Sequence, residues 1–375
     1  MVTNNQKSFL ALVRAGLWET EARLSQYKDI DYAAILQLAE DQSLVGLVTA
    51  GLEHATDVKV PQDWVLQFVG ETLQIEQQDK EMNSFLSRLI EKMRGADIYS
   101  LLVKGQGIAQ CYERPFWRAS GDVDLFLSEG NYLKAKELLL QLGELTEPEE
   151  LKKRHLSINI KGWIVELHGT LHSGLSSRID HVLDDIQREV FYDGNVRSWM
   201  NGSTQIFLMN ETCDAVYVFT HILQHFYKGG IGLRQICDWC RLLWTYKDSL
   251  NYELLESRIR KAGLMSEWKA FASLAVDYLG MPADAMPMFN ENDINNPKWN
   301  KKAERILKFV LETGNFGHNR DSSYFHKYPF FVRKSISMGR RCGDLIQHAK
   351  IFPWDSIRFF PSIIFNGLRS AATGE

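Results

Sequence analysis

The chain has 375 residues with a net charge of -4, and 45% of its residues are hydrophobic against 24% charged. That length suits two or three domains, and the composition excludes a disordered or fibrous chain. The slightly acidic balance gives no general attraction for nucleic acid, and no apolar run approaches the roughly 18 residues needed to span a bilayer.

The N-terminal stretch is broken by Arg14 and followed by acids, so it does not read as a secretion signal. Five scattered cysteines, Cys111, Cys213, Cys237, Cys240 and Cys342, make no disulfide framework and point to a reducing, cytoplasmic setting. Residues 1–95 read as helical. Ala33, Ile35, Leu36, Leu38 and Ala39 recur at helical spacing, and Pro61 opens a long amphipathic pattern from Trp64 to Met93.

From Ile98 the period changes. Tyr99 to Val103 reads as a short buried strand ended by Lys104-Gly105, followed by a helix over about 107–112, a turn at Pro115 and a strand over 121–127. Tyr132 to Leu142 predicts an amphipathic helix stopping at Gly143. His155–Ile160 and Trp163–His168 then read as two strands around a Lys161-Gly162 turn. This is an α+β unit with a mixed sheet, placed at 96–205 between an N-terminal helical region, 1–95, and a C-terminal helical domain, 206–375. Asn210 is a plausible N-cap for renewed helix to about 285, and another helix spans Pro297 to Thr313. Linkers are expected near 194–202 and 281–298.

The chemistry concentrates in Gly121-Asp122-Val123-Asp124-Leu125-Phe126. On a strand, Asp122 and Asp124 share one face while Val123 and Leu125 point to the core, and paired carboxylates beside a buried strand suit a cation. The same period puts Ile164, Glu166 and His168 on one face of the later strand. If the two strands are neighbours, Glu166 completes a trio of hard oxygen ligands for one or two Mg²⁺ ions. Upstream, Lys104-Gly105 joins a strand to a helix start, where backbone N–H groups favour phosphate.

The run Leu102-Val103-Lys104-Gly105, Tyr112, Pro115, Arg118, Gly121-Asp122-Val123-Asp124 and Val165-Glu166-Leu167-His168 resembles the uncharacterised bacterial nucleotidyltransferases of the DNA polymerase β-like superfamily. The likeness extends to His221, His225, Arg234 and Asp238, and to Gly314-Asn315-Phe316-Gly317. It implies a polymerase β-like mixed-sheet domain, Mg²⁺ on Asp122, Asp124 and Glu166, and a nucleoside triphosphate, ATP being the one expected, along Lys104 and Gly105. Arg118, His221, His225, Arg234 and Asp238 would complete the nucleotide site. The implied reaction moves a nucleoside monophosphate to an unidentified small-molecule or protein acceptor, releasing pyrophosphate. The alternative is a non-catalytic nucleotide-binding or scaffold protein on the same fold. The chain departs from the superfamily at the phosphate turn, where Gln106 follows Gly105 in place of Gly or Ser.

Several residues carry a blander reading. Arg118 either contacts phosphate or neutralises the acids, and His168 reads as a structural or supporting histidine. His221 and His225 have zinc-protease spacing but no glutamate between them, which excludes that chemistry, and Cys237 and Cys240 read as core. Arg234 and Asp238, at i and i+4, form either a surface ion pair or part of a cleft wall. The stretch from Phe325 to Arg369 reads as core helices with a basic outer face.

Overall fold

The computed structural model describes residues 3–151, 153–317 and 330–361. Four helices lead in: α1 (Asn4–Trp18), α2 (Tyr32–Asp41), α3 (Val45–Glu53) and the long α4 (Gln62–Gly95). Thr3 and Gln6 form a capping box on α1, and Asp31 caps α2 through the Ala34 N–H. Pro61 stands at the N-cap of α4, as its position in the pattern predicts.

The middle of the chain supplies β1 (Leu101–Val103), α5 (Gly105–Ala109), β2 (Asp122–Phe126), α6 (Glu129–Leu140), β3 (Glu144–Leu145), β4 (His155–Ile160), β5 (Trp163–His168), α7 (Ser177–Tyr192), β6 (Val196–Asn201) and β7 (Thr204–Met209). These strands form one seven-stranded mixed sheet in the order β3-β4-β5-β2-β1-β7-β6. β2 runs parallel to β5 and antiparallel to β1, while β1 runs parallel to β7. The expected helix over 107–112 lies instead at Gly105–Ala109, because the chain turns directly out of β1. The stretch near 194–202, expected as a linker, is strand β6, paired with β7 from Val196↔Met209 to Asn201↔Thr204. The sheet therefore runs to Met209. Alternation in β6 is weak because it is an edge strand with much of its length exposed, and the strongly amphipathic α7 falls in a stretch for which no element is expected above.

Side-chain alternation splits the sheet cleanly. Val123 and Leu125 of β2 and Val165 and Leu167 of β5 join Met82, Phe85, Leu86 and Leu89 of α4 in one apolar cluster. Leu101, Val103 and Phe126 point the other way, into the larger cluster that includes α7, α8 (Glu211–Lys228) and α9 (Leu233–Thr245). Asn210 caps α8 as expected, its side chain accepting from the Cys213 N–H at 2.8 Å.

The remaining helices, α10 (Tyr252–Ala262), α11 (Met265–Leu279), α12 (Pro297–Thr313) and Phe330–Ile351, extend that second core. The first three helices share it. Phe9, Leu12 and Val48 belong to the same cluster as Trp268, Phe271 and Ile306, and Trp18 Nε1 donates to Leu279 O at 2.6 Å. Buried Gln42 bridges distant segments, donating to Val310 O at 3.2 Å and accepting from the Leu233 N–H at 2.8 Å. No described helix is long and apolar enough to cross a membrane. Of the 325–369 stretch only 330–361 lies within the described residues; there Leu345, Phe352 and Phe359 are buried while Trp354 and Ile357 are exposed.

Candidate active site

Strand register assembles the acids. Asp124 lies directly opposite Val103 on one side and Glu166 on the other, so β1, β2 and β5 deliver Lys104, Asp124 and Glu166 to one place. Asp122, two residues back, shares the face. Oxygens of Asp122, Asp124 and Glu166 all lie within 4.8 Å of one another. Three carboxylates so placed fit a hard divalent cation, which prefers oxygen ligands.

The protein's own cations hold this cluster together. Lys104 Nζ stands 2.8 Å from Asp124 Oδ1, and His168 Nε2 reaches the same oxygen at 2.8 Å. The charge of Asp124, together with burial, pushes the Asp122 carboxyl up to about 6, while Lys104 pulls the other way. Burial opposes ionisation of Glu166, yet hydrogen bonds from His155 and His168 and the charge of Lys104 hold it below the ordinary carboxylate range. For Lys104, burial is outweighed by Asp124 and its neighbours, so its ammonium is held above its usual range.

Lys104 is also strained. Its φ is +60°, unusual for a residue with a side chain, and Gly105 follows at +41°. This paired left-handed turn swings the chain from β1 straight into α5. At Gly107, a Cβ would sit 2.7 Å from Leu208 Cδ2, so the glycine lets α5 lie close on the sheet. Gln106 is buried and directs its amide to Met82 Sδ, 3.2 Å away on α4. The departure at the phosphate turn thus sends a side chain into the helix packing behind it.

The α8 histidines sit beyond Lys104. His221 Nε2 accepts from Lys104 Nζ at 3.2 Å, and His225 Nε2 lies 3.1 Å from His221 Nε2. Burial, then the charge of Lys104, pushes His221 far below the usual imidazole range and His225 down to about 4. Both rings are neutral at pH 7. Cys237 and Cys240 are fully buried in the core, and neither they nor the α8 histidines belong to a metal-ligand cluster among the described residues.

Arg118 and Asp238, both expected at the nucleotide, are engaged with each other. Arg118 Nε and Nη2 meet the two Asp238 oxygens at 3.0 and 2.7 Å, and Arg118 Nη1 donates to Ser120 Oγ at 2.8 Å. Tyr112 OH donates to Asp238 Oδ1 at 2.7 Å. This bidentate pair is buried, so it is not a helix-surface contact, and the partner of Asp238 is Arg118 and not Arg234. Arg234 donates from Nη1 to Ala119 O, while its buried Nε has no hydrogen-bond partner. Burial, then repulsion from Arg118, lowers the Arg234 pKa.

A narrow cleft, partly open to solvent, gathers Lys104, Gly105, Arg118, Asp122, Asp124, His221, Arg234 and Asp238 along its wall, while Glu166 and His225 lie outside that lining. His155 was not foreseen. It lies opposite His168 in the β4–β5 hairpin, and its Nε2 is 3.1 Å from Glu166 Oε2. The two-residue turn would have revealed it, because a turn of that length fixes every pair in the hairpin. Asn315 lies outside the cleft wall and ties α9 to the N-terminal helices, accepting from Gln235 Nε2 and donating to Ser43 Oγ, each at 2.8 Å.

A mixed sheet that gathers three carboxylates on neighbouring strands, with a lysine at the adjoining strand-to-helix turn, defines a nucleotidyltransferase-type α+β fold flanked by helices. The chain belongs to the family described as uncharacterised nucleotidyltransferase, whose family model matches residues 28–280. That range contains every residue of the cleft named above. No curated protein and no solved structure matches the chain.

Proposed function

We propose that the protein is a Mg²⁺-dependent nucleotidyltransferase that moves a nucleoside monophosphate from a triphosphate, ATP in the first instance, to an acceptor that is a small molecule or a protein. The observation that carries this reading is the trio of carboxylates within 4.8 Å on adjacent strands, with Lys104 in contact with Asp124 beside a cleft that Lys104, Asp122 and Asp124 line. In the reaction an acceptor oxygen bonds to the α-phosphorus, the bond to the β-phosphate bridging oxygen breaks, and pyrophosphate leaves with that electron pair.

Asp122, Asp124 and Glu166 would hold Mg²⁺, which when bound supplies charge neutralisation at the phosphates and lowers the pKa of the acceptor oxygen. Lys104 and the left-handed turn at Gly105 would receive the triphosphate, the ammonium exchanging one oxyanion partner, Asp124, for another. The unpartnered Nε of Arg234 offers a further donor toward phosphate. Neutral His221 would receive the Lys104 ammonium without competing charge. The Arg118–Asp238 pair fixes Ser120 and the entry to β2, so it shapes the wall between α9 and the acids.

The test is Mg²⁺-dependent pyrophosphate release from ATP by wild type and Asp122→Asn, with extracts of small molecules and of protein as separate acceptor pools. Release by wild type alone supports the reading. Background release by both, with ATP binding retained, overturns it in favour of a nucleotide-binding scaffold.

A further inference from the structure

We propose that His155, Glu166 and His168 form a binding site for a transition-metal ion of the zinc class, beside the acidic trio and sharing Glu166 with it. The proposal does not rest on nucleotidyl transfer; the two readings have one residue in common.

The site is built by the β4–β5 hairpin. Lys161 and Gly162, with φ of +55° and +92°, make a two-residue turn of the kind that matches the twist of antiparallel strands. That turn pairs Ile160 with Trp163 and therefore His155 with His168. Glu166 lies two residues before His168 and so on the same face. Three ligands from one hairpin consequently converge.

The spacing is that of a coordination shell. The Nε2 atoms of His155 and His168 stand 3.1 and 3.5 Å from the same oxygen, Glu166 Oε2. All three ligand atoms lie within 4.8 Å of one another. In a tetrahedral shell with bonds of roughly 2.0–2.1 Å, neighbouring ligand atoms are about 3.3 Å apart. Two imidazoles with one carboxylate select Zn²⁺, Co²⁺ or Ni²⁺, whereas Mg²⁺ favours an all-oxygen shell and is directed to the acids next door. The side chains of His155, Glu166 and His168 are 26%, 24% and 13% exposed, so an ion has access from solvent and three protein ligands leave a coordination position open. His168 Nε2 also meets Asp124 Oδ1 at 2.8 Å, and that hydrogen bond gives way, with release of the proton, when the nitrogen ligates the ion.

The competing arrangement is a set of imidazole–carboxylate hydrogen bonds that binds no ion. Titration of the metal-free full chain with Co²⁺, read by its visible absorption, separates the two. One equivalent of Co²⁺ is expected to bind and to be displaced by Zn²⁺. His155→Ala should weaken Co²⁺ binding at least about tenfold. Asp122→Asn, which removes a ligand of the acidic trio only, should leave the Co²⁺ spectrum in place. His155→Cys should add a thiolate-to-cobalt charge-transfer band, which locates the ion even if the alanine variant folds poorly. Absence of stoichiometric Co²⁺ binding to wild type, an unchanged spectrum in folded His155→Ala, or no charge-transfer band in His155→Cys would each overturn the site. None of these outcomes bears on pyrophosphate release by the Asp122 pair of proteins.

Discussion

Asp124 on β2 and Glu166 on β5 are direct partners in a parallel strand pair, so two carboxylates from segments some forty residues apart stand side by side. Parallel register alone would set like charges against each other. The structure tolerates this because Lys104 and His168 both reach Asp124 Oδ1 while His155 and His168 reach Glu166. Asp122 has the least such help.

Asp122→Asn should accordingly stabilise the metal-free protein by about 1–3 kcal/mol near pH 8, since one pKa unit corresponds to about 1.4 kcal/mol. The same variant should lose the rise in melting temperature that Mg²⁺ gives wild type. Thermal unfolding of both proteins with and without Mg²⁺ checks this; a lower melting temperature for metal-free Asp122→Asn would refute it.

Asp238→Asn and Arg118→Ala should each cost about 3–5 kcal/mol, because each leaves a buried charge without its partner. The double variant should cost less than the sum of the two, as expected for groups in direct contact. Urea unfolding of the four proteins in the cycle measures the coupling, and strict additivity would contradict the pairing.

Gly105→Ala should destabilise by about 1 kcal/mol through its backbone, since φ is +41° and the added Cβ meets only Asp122 O at an ordinary 3.5 Å. The variant should also weaken ATP binding by displacing Lys104. Calorimetric titration beside an unfolding curve distinguishes this from a change confined to stability.

Glu267 on α11 is fully buried, accepts from Tyr227 OH at 3.2 Å, and leaves Oε2 without a partner. Burial, with Asp355 nearby, pushes its carboxyl up to about 8 from 4.5. Between those values the folded protein keeps a proton that the unfolded chain releases, so this group lowers stability as pH rises through the window. Glu267→Gln should remove about one proton from that dependence, about 1.4 kcal/mol per pH unit, and be the more stable protein at pH 8. Parallel slopes for the two proteins between pH 5 and 8 would refute it.

Much of the fold was legible because it repeats a local pattern. The alternation in β2 and β5, the long amphipathic α4, the Asn210 cap and the Lys161-Gly162 turn all depend on a few consecutive residues. Strand β6 is hard to read locally because an exposed edge strand has little hydrophobic alternation, whereas α7, not among the expected elements, carries a helical pattern in Ile179, Val182, Leu183, Ile186 and Val190. The merging of the first three helices with the C-terminal core was equally hidden, since it rests on contacts such as Trp18 to Leu279 that no local pattern encodes.

By itself the sequence determined that Asp122 and Asp124 share a face, that Glu166 and His168 share another, and that a lysine and a glycine close the strand before them, because strand periodicity and turn chemistry act over a handful of residues. Only the tertiary structure decided that β5 lies beside β2, that Lys104 is shared between Asp124 and His221, and that Arg118 turns to Asp238. Those pairings join residues twenty to one hundred and twenty positions apart. They are chosen when burial leaves each charge only its nearest partners within reach, a condition that exists only once the sheet and helices have closed around it.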